Sequence, residues 1–211
     1  MSALLLPPSI PNETFAPSVD SPVADSEFLR LSIDEYHQMI RQGILTTDHK
    51  VELLDGLLVK KMPKSRAHII ATSRIRRTFE RLNPGNWVVI SQEPVTLDIG
   101  EPEPDVVVTI GYNEDDPDSN PRPEQIAVLV EVSDSSLRRD KNWKLRMYAR
   151  NGIANYWIAN LVDGVLEVYA NPINGEYLNA SVLTRSENVE LVIAGTAIAT
   201  IPVADLIPDA A

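Results

Sequence analysis

The chain contains no cysteine, which excludes disulfides, cysteine-ligated zinc and thiol nucleophiles and suits a reducing interior. It also lacks any apolar run approaching the roughly 18 residues that a membrane-spanning helix needs. The opening MSALLLPPSIPNETF has one short apolar run and no basic segment before it, so it does not read as a signal peptide. No internal repeat, phosphate-binding glycine loop, HExxH pattern, serine triad, helix-turn-helix or zinc module is visible. These absences lead to the expectation of a cytoplasmic protein with no membrane partner.

Positive charge is scarce, with a formal net charge of -11, and on its face that argues against a polyanionic partner. The distribution says otherwise. Between Lys60 and Arg81 there are eight basic residues and one acid, and six more basic residues lie between Leu137 and Arg150. Such runs are commonly solvated helix faces. They also suit a local phosphate-binding surface on an acidic protein.

At 211 residues the length suits a single domain with a substantial core. Residues 1–29, rich in proline, serine and acids and without periodicity, read as a flexible tail, which leaves 30–211 for the domain. The stretch from Ile126 to Leu161 organises it. The run IAVLVEV has the length and β-branched content of a buried strand, with one carboxylate, Glu131, near its carboxyl end. Ser133, Asp134, Ser135 and Ser136 offer capping chemistry, Leu137 to Asn151 reads as a helix closed by Gly152, and NYWIANL is a second strand. A strand, helix, strand unit predicts two parallel strands in one sheet.

On that helix, successive residues advance by about 100°. This turns Lys144 into the inner arc with Leu137, Leu145, Met147, Tyr148 and Ala149, and puts Arg138, Arg139, Asn142, Arg146 and Arg150 outside. A core-facing ammonium must find an anion or lose its charge. The plainer alternatives are a snorkelling lysine or an Asp140 to Lys144 pair at helical spacing.

Elsewhere, Ser32 and Glu35 form a capping box ahead of a short helix, and Asp55-Gly56 joins VELL to LLVKK as a hairpin. Glu52 in the first of those strands reads as an outward acid. Ser65 to Leu82 is a helix with Ala71, Ile75, Phe79 and Leu82 inward and with Arg66, Arg74, Arg77 and Arg81 away from the core; His68 falls on the inward stripe, where histidines are usually satisfied core residues. WVVISQ and PVTLDI read as strands. Pro102 and Pro104 hold the approach to Asp105 extended, ahead of VVVTI. Asp163-Gly164 and Asn174-Gly175 predict further hairpins, with EYLNASVLT at a sheet edge, then ELVIAG and TAIATI as strands. The whole predicts an α/β domain with a mixed central sheet and helices packed on it.

Taken alone, Asp105 is a turn residue or strand cap. If its strand pairs with that of Glu131, the two carboxylates supply hard oxygen ligands that suit Mg²⁺, and Lys144 supplies an ammonium able to orient water or stabilise phosphate charge.

The order Pro104-Asp105, Glu131 in VEVSDSS, then Asp140, Lys144 and Tyr148, then GIANYWIANL resembles the Uma-type restriction endonucleases of the PD-(D/E)xK nuclease superfamily. VELLDGLLVKKMP with the following His68 is similar to the amino-terminal signature of that family. The resemblance implies a restriction-endonuclease-like fold and a Mg²⁺- or Mn²⁺-dependent endonuclease acting on DNA. It implies Asp105 and Glu131 as metal ligands, Glu52 as an accessory acid at the metal, and Lys144 as the catalytic lysine. Two positions depart from the pattern: Ser133 stands where the superfamily lysine usually follows the acid, and Asn160 stands where an acid often follows YWI. Cutting both strands of a duplex is easiest with two sites, which favours a homodimer, although no sequence feature marks an interface. The alternatives are a catalytically inactive nuclease-fold binding or assembly protein, and an enzyme acting on a nucleotide or on RNA.

Overall fold

The computed structural model describes residues 28–116 and 119–209; the tail expected over 1–29 lies outside them except for its last two residues. The elements run α1 (Ile33–Arg41), β1 (Val51–Leu54), β2 (Leu57–Lys60), α2 (Arg66–Leu82), β3 (Val88–Ile90), β4 (Val106–Thr109), β5 (Ile126–Ser133), α3 (residues 137–150), β6 (Asn155–Asn160), β7 (Val165–Ile173), β8 (Glu176–Thr184), β9 (Asn188–Ile193), β10 (Thr196–Pro202) and α4 (Val203–Leu206). Six strands form one mixed sheet in the order β3-β4-β5-β6-β7-β8. The β5–β6 pair is parallel, as expected for strands joined through a helix, and the other neighbours are antiparallel. Among the described residues no helix is long and apolar enough to cross a membrane.

The central strands read as continuous apolar runs because both sheet faces are covered. On one face Val106, Val108, Val128, Val130, Val132, Trp157 and Ala159 pack against Ala71, Ile75 and Phe79 of α2 and against the β9–β10 hairpin and α4. On the other, Val107, Leu129, Tyr156 and Ile158 pack against Met147 and Tyr148 of α3 and Leu54 of β1. Side chains alternate along a strand, so Glu131 shares the α3 face with Leu129. The expected large core is therefore divided by the sheet into two halves, and Glu131 is on the α3 side. Trp157 is 2% exposed, with its ring centroid 5.7 Å from that of Phe79. Trp157→Ala is expected to cost about 3–5 kcal/mol of unfolding free energy, read from urea denaturation.

Local chemistry explains several elements. Ser32 and Glu35 form the capping box of α1. Asp55 (φ 47) and Gly56 (φ 79) make the β1–β2 turn with two consecutive left-handed residues, as the tightest hairpin loop requires. A Cβ on Gly56 would sit 2.8 Å from Arg30 Cβ and 3.0 Å from Leu31 O, so glycine also lets the entering chain bond back, Leu31 N to Gly56 O, at 2.8 Å.

Two expectations are corrected. PVTLDI is not a strand of the sheet. Residues 95–102 fold on themselves through Val95 N to Pro102 O at 3.0 Å and Leu97 N to Gly100 O at 2.9 Å, and dock on β1 through Glu101 N to Leu53 O at 2.8 Å. Pro102 and Pro104 lack the N–H groups a ladder needs. His37 Nε2, 2.9 Å from both Glu101 carboxylate oxygens, ties this segment to α1. The second correction concerns α3, which is not one regular helix. It comprises Leu137–Arg139, a π-helical segment Asp140–Lys144, and Leu145–Arg150, ending before Gly152 (φ 73).

Candidate active site

Glu131 and Asp105 meet because β4 and β5 pair antiparallel with Val106 opposite Val130, which sets the residue before the one beside the residue after the other. Asp105 Oδ2 accepts from Val132 N at 2.9 Å and lies 3.1 Å from His68 Nε2 of α2; Lys64 Nζ is 3.6 Å from its Oδ1. Glu52 comes from β1. It is 2% exposed, so it does not face outward, and Glu103 N donates to its Oε2 at 3.3 Å.

Lys144 joins the acids. It is 3% exposed, with Nζ 2.9 Å from Glu131 Oε1 and 3.1 Å from Glu52 Oε2. Tyr148, one turn on, donates to the same Glu131 Oε1 at 2.7 Å. The i, i+4 pair with Asp140 does not form. Asp140 Oδ2 instead accepts from Ser133 Oγ and Ser136 Oγ. The Asp140 carbonyl takes both Leu145 N, five residues on, and the Tyr156 hydroxyl at 3.1 Å. Acceptance from i+5 rather than i+4 widens the turn just where Lys144 is aimed.

The same widening moves Arg139, expected on the outer side, toward the hairpin. Its Nη1 donates to Lys60 O at 3.0 Å, its Nη2 stands 3.7 Å from Glu52 Oε1, and its buried Nε has no hydrogen-bond partner among the described residues. Arg74 likewise leans inward, with Nη1 3.4 Å from Ala204 O of α4. The hairpin that carries Glu52 is pinned to α3 through Asp55, which accepts from Trp143 Nε1 at 2.7 Å and Arg150 Nη2 at 2.6 Å.

Four carboxylates, Glu52, Asp105, Glu131 and Asp140, are thus buried around one buried ammonium. Burial, with Asp140, Asp105 and Glu52 adding to it and Lys144 opposing it, raises the Glu131 carboxyl to about 8. Burial acts to lower the Lys144 ammonium, but Glu131, Glu52 and Asp140 together outweigh it and raise the pKa above that of an ordinary lysine. Burial and then Glu131 hold Tyr148 well above an ordinary phenol, so it remains a hydroxyl donor.

The four carboxylates and Lys144 line a cleft of about 60 Å³, with Lys61, Lys64 and Arg139 among its walls, room for a few waters. A larger groove of about 690 Å³, between Ile33, Leu97, Arg122 and Arg150, contains none of the four carboxylates or Lys144. Volume does not select the site; the concentration of buried charge does.

Among the described residues no three acidic or histidine side chains are grouped so as to hold a metal ion by themselves. The donor chemistry still fits Mg²⁺, which commonly takes one or two carboxylates and completes its shell with water and substrate phosphate. Both hydrogen bonds to Glu131 fall on Oε1 and the two closest contacts to Asp105 fall on Oδ2, so a cation would take Glu131 Oε2 and, by displacing the looser Lys64 ammonium, Asp105 Oδ1.

Glu52, Asp105, Glu131 and Lys144 therefore share one cleft. Asn160 does not reach it: its Nδ2 donates to Asp163 and Glu167, each at 2.8 Å. Sequence reading under-weighted His68 and missed Lys64 and Arg139. The pattern PD with a histidine on the inward stripe of the preceding helix was a usable signal for His68; nothing local marks Arg139, because the π turn that redirects it depends on Ser133 and Tyr156.

The model of the family described as "Uma2: Putative restriction endonuclease" matches residues 33–203. A crystal structure of "a putative nuclease belonging to DUF820" from Anabaena variabilis ATCC 29413 superposes with a TM-score of 0.65 at 16% sequence identity, covering 83% of this chain and 97% of that one. At that identity the likeness is one of fold, and the fold is restriction-endonuclease-like. No curated protein matches the chain.

Proposed function

From the premise that this chain belongs to the Uma2 restriction endonuclease family, we propose that it is a divalent-metal-dependent endonuclease that hydrolyses phosphodiester bonds in DNA. The observation that carries the reading is the single buried ammonium of Lys144 set between carboxylates from separate parts of the chain, beside a cleft walled by Lys61, Lys64 and Arg139.

Asp105 and Glu131 would hold Mg²⁺ or Mn²⁺, with Glu52 as the accessory acid. The ion, when bound, would polarise the scissile phosphate and lower the pKa of a coordinated water. The protein groups do the rest. Lys144, with its pKa raised, works as a charged donor and not as a general base: it orients the attacking water and stabilises negative charge on the phosphate. Tyr148 and Lys144 together fix the Glu131 carboxylate, and His68 with Val132 N fixes that of Asp105. Arg139, Lys61 and Lys64, which wall the cleft, would help attract a phosphate.

The test is nicking of supercoiled plasmid. Cleavage is expected with Mg²⁺ or Mn²⁺ and is expected to be lost on chelation and regained on adding metal back. Metal-independent cleavage would overturn the metal assignment. A net charge of -11 favours the second reading, a nuclease-fold binding protein without catalysis. Salt-dependent DNA binding with no cleavage under any divalent ion would establish that reading instead.

A further inference from the structure

The two edges of the six-stranded sheet differ. β3 is three residues long, too short to template another strand, whereas β8 is nine residues long, pairs among the described residues only with β7, and is mostly exposed. Natural edge strands are usually guarded by lysine, proline, a bulge or shortness. β8, EYLNASVLT, has no lysine and no proline, and its one charge, Glu176, is at its first residue. Leu178 and Val182 are 60% and 61% exposed, and Ala180 between them is exposed too.

We propose that β8 pairs antiparallel with β8 of a second copy of this chain, about a two-fold axis at Ala180. The reason is self-complementarity. An antiparallel pairing centred on Ala180 places Leu178 opposite the partner's Val182, and Asn179 opposite the partner's Ser181. The same register sets Tyr177 opposite the partner's Leu183, so that at each position apolar meets apolar or polar meets polar. Glu176 faces the partner's Thr184, so no like charges oppose each other, and all nine residues are paired. Such an interface is isologous and closed, and it leaves no free edge on that side of either copy.

The absence of cysteine gives a clean test. In the Ala180→Cys variant the two thiols face each other across the axis. Directly opposed residues in an antiparallel pair are about 4.5–5.5 Å apart at Cα, within disulfide range. Mild oxidation is expected to give a covalent dimer on a non-reducing gel. Thr184→Cys is the control, because the two substituted positions stand about 27 Å apart at 3.4 Å per residue and should not cross-link.

In sedimentation at micromolar concentration the unmodified chain is expected to be a dimer. Leu178→Lys with Val182→Lys sets like charges opposite one another and should give a monomer with an unchanged circular dichroism spectrum. Leu178→Glu with Val182→Lys sets opposite charges together and should restore the dimer. A monomeric unmodified chain, a dimer that survives both lysines, or Thr184→Cys cross-linking as readily as Ala180→Cys would overturn the pairing.

Discussion

Lys144→Met is expected to lower the rate of DNA cleavage by about 10²–10³-fold, the range seen when one preorganised donor is removed from a developing charge. Methionine preserves the apolar stem that Lys144 packs into the half-core and removes only the ammonium. The variant also tests the electrostatic role of that ammonium, because it leaves Glu131 and Glu52 buried without their shared cation. Breaking a buried pair in this way typically costs about 3–5 kcal/mol.

The cost should depend on pH, and its sign follows from linkage. Burial already raises the Glu131 pKa from 4.5 to about 8, and Lys144 is the group that lowers it, so its removal raises the pKa further. A carboxyl whose folded pKa lies above its unfolded value keeps its full stability below the unfolded pKa and loses it as pH rises toward the folded one. Without divalent ion, the two proteins should therefore lose stability in parallel between pH 4.5 and about 8, and Lys144→Met should fall increasingly below the unmodified protein above about pH 8, where only the unmodified Glu131 ionises in the folded state. Cleavage is measured where the variant remains folded by circular dichroism. Full activity in that folded variant would place the catalytic cation elsewhere.

Asp105→Asn should weaken divalent binding by about 100-fold, since ligand charge sets affinity for a hard cation, and should reduce cleavage by a similar or larger factor. The fold should survive. The asparagine oxygen can still accept from Val132 N, and the Lys64 contact it gives up is loose and half exposed, of the kind that contributes little. Calorimetric titration with Mg²⁺ or Mn²⁺ decides the matter. Unchanged affinity would move the ion to Glu52 and Glu131 and leave Asp105 as an anchor for His68.

Much of the architecture was legible because it follows local rules. IAVLVEV and NYWIANL could be read as parallel strands from their β-branched content and the helix between them. Asp55-Gly56 and Asn174-Gly175 could be read as hairpins because few residues tolerate left-handed backbone. PVTLDI does not join the sheet, although its apolar alternation matches a strand, because it folds back on residues 100–102, with Pro102 and Pro104 lacking the N–H groups a ladder needs. The plainer alternative of an Asp140 to Lys144 pair falls because Lys144 pairs with Glu131 and Glu52, while Asp140 opens a π turn that a regular wheel does not contain.

By itself, then, the sequence determined the strands apart from PVTLDI, the hairpins, the capping box of Ser32 with Glu35, the inward turn of Lys144, and the separation of its basic segments from an acidic remainder. Each is set by side-chain period, by φ preference or by composition, all of which act over a few residues. Only the tertiary structure decided that Glu52 is buried, that Asp105 lies against Glu131, that His68 and Arg139 belong to the same cleft, and that Asp140 turns to the serines. Those facts depend on strand register, on the docking of a hairpin across α3, and on which of several nearby acids wins one desolvated ammonium. Contacts between residues dozens of positions apart leave no periodic trace in the chain.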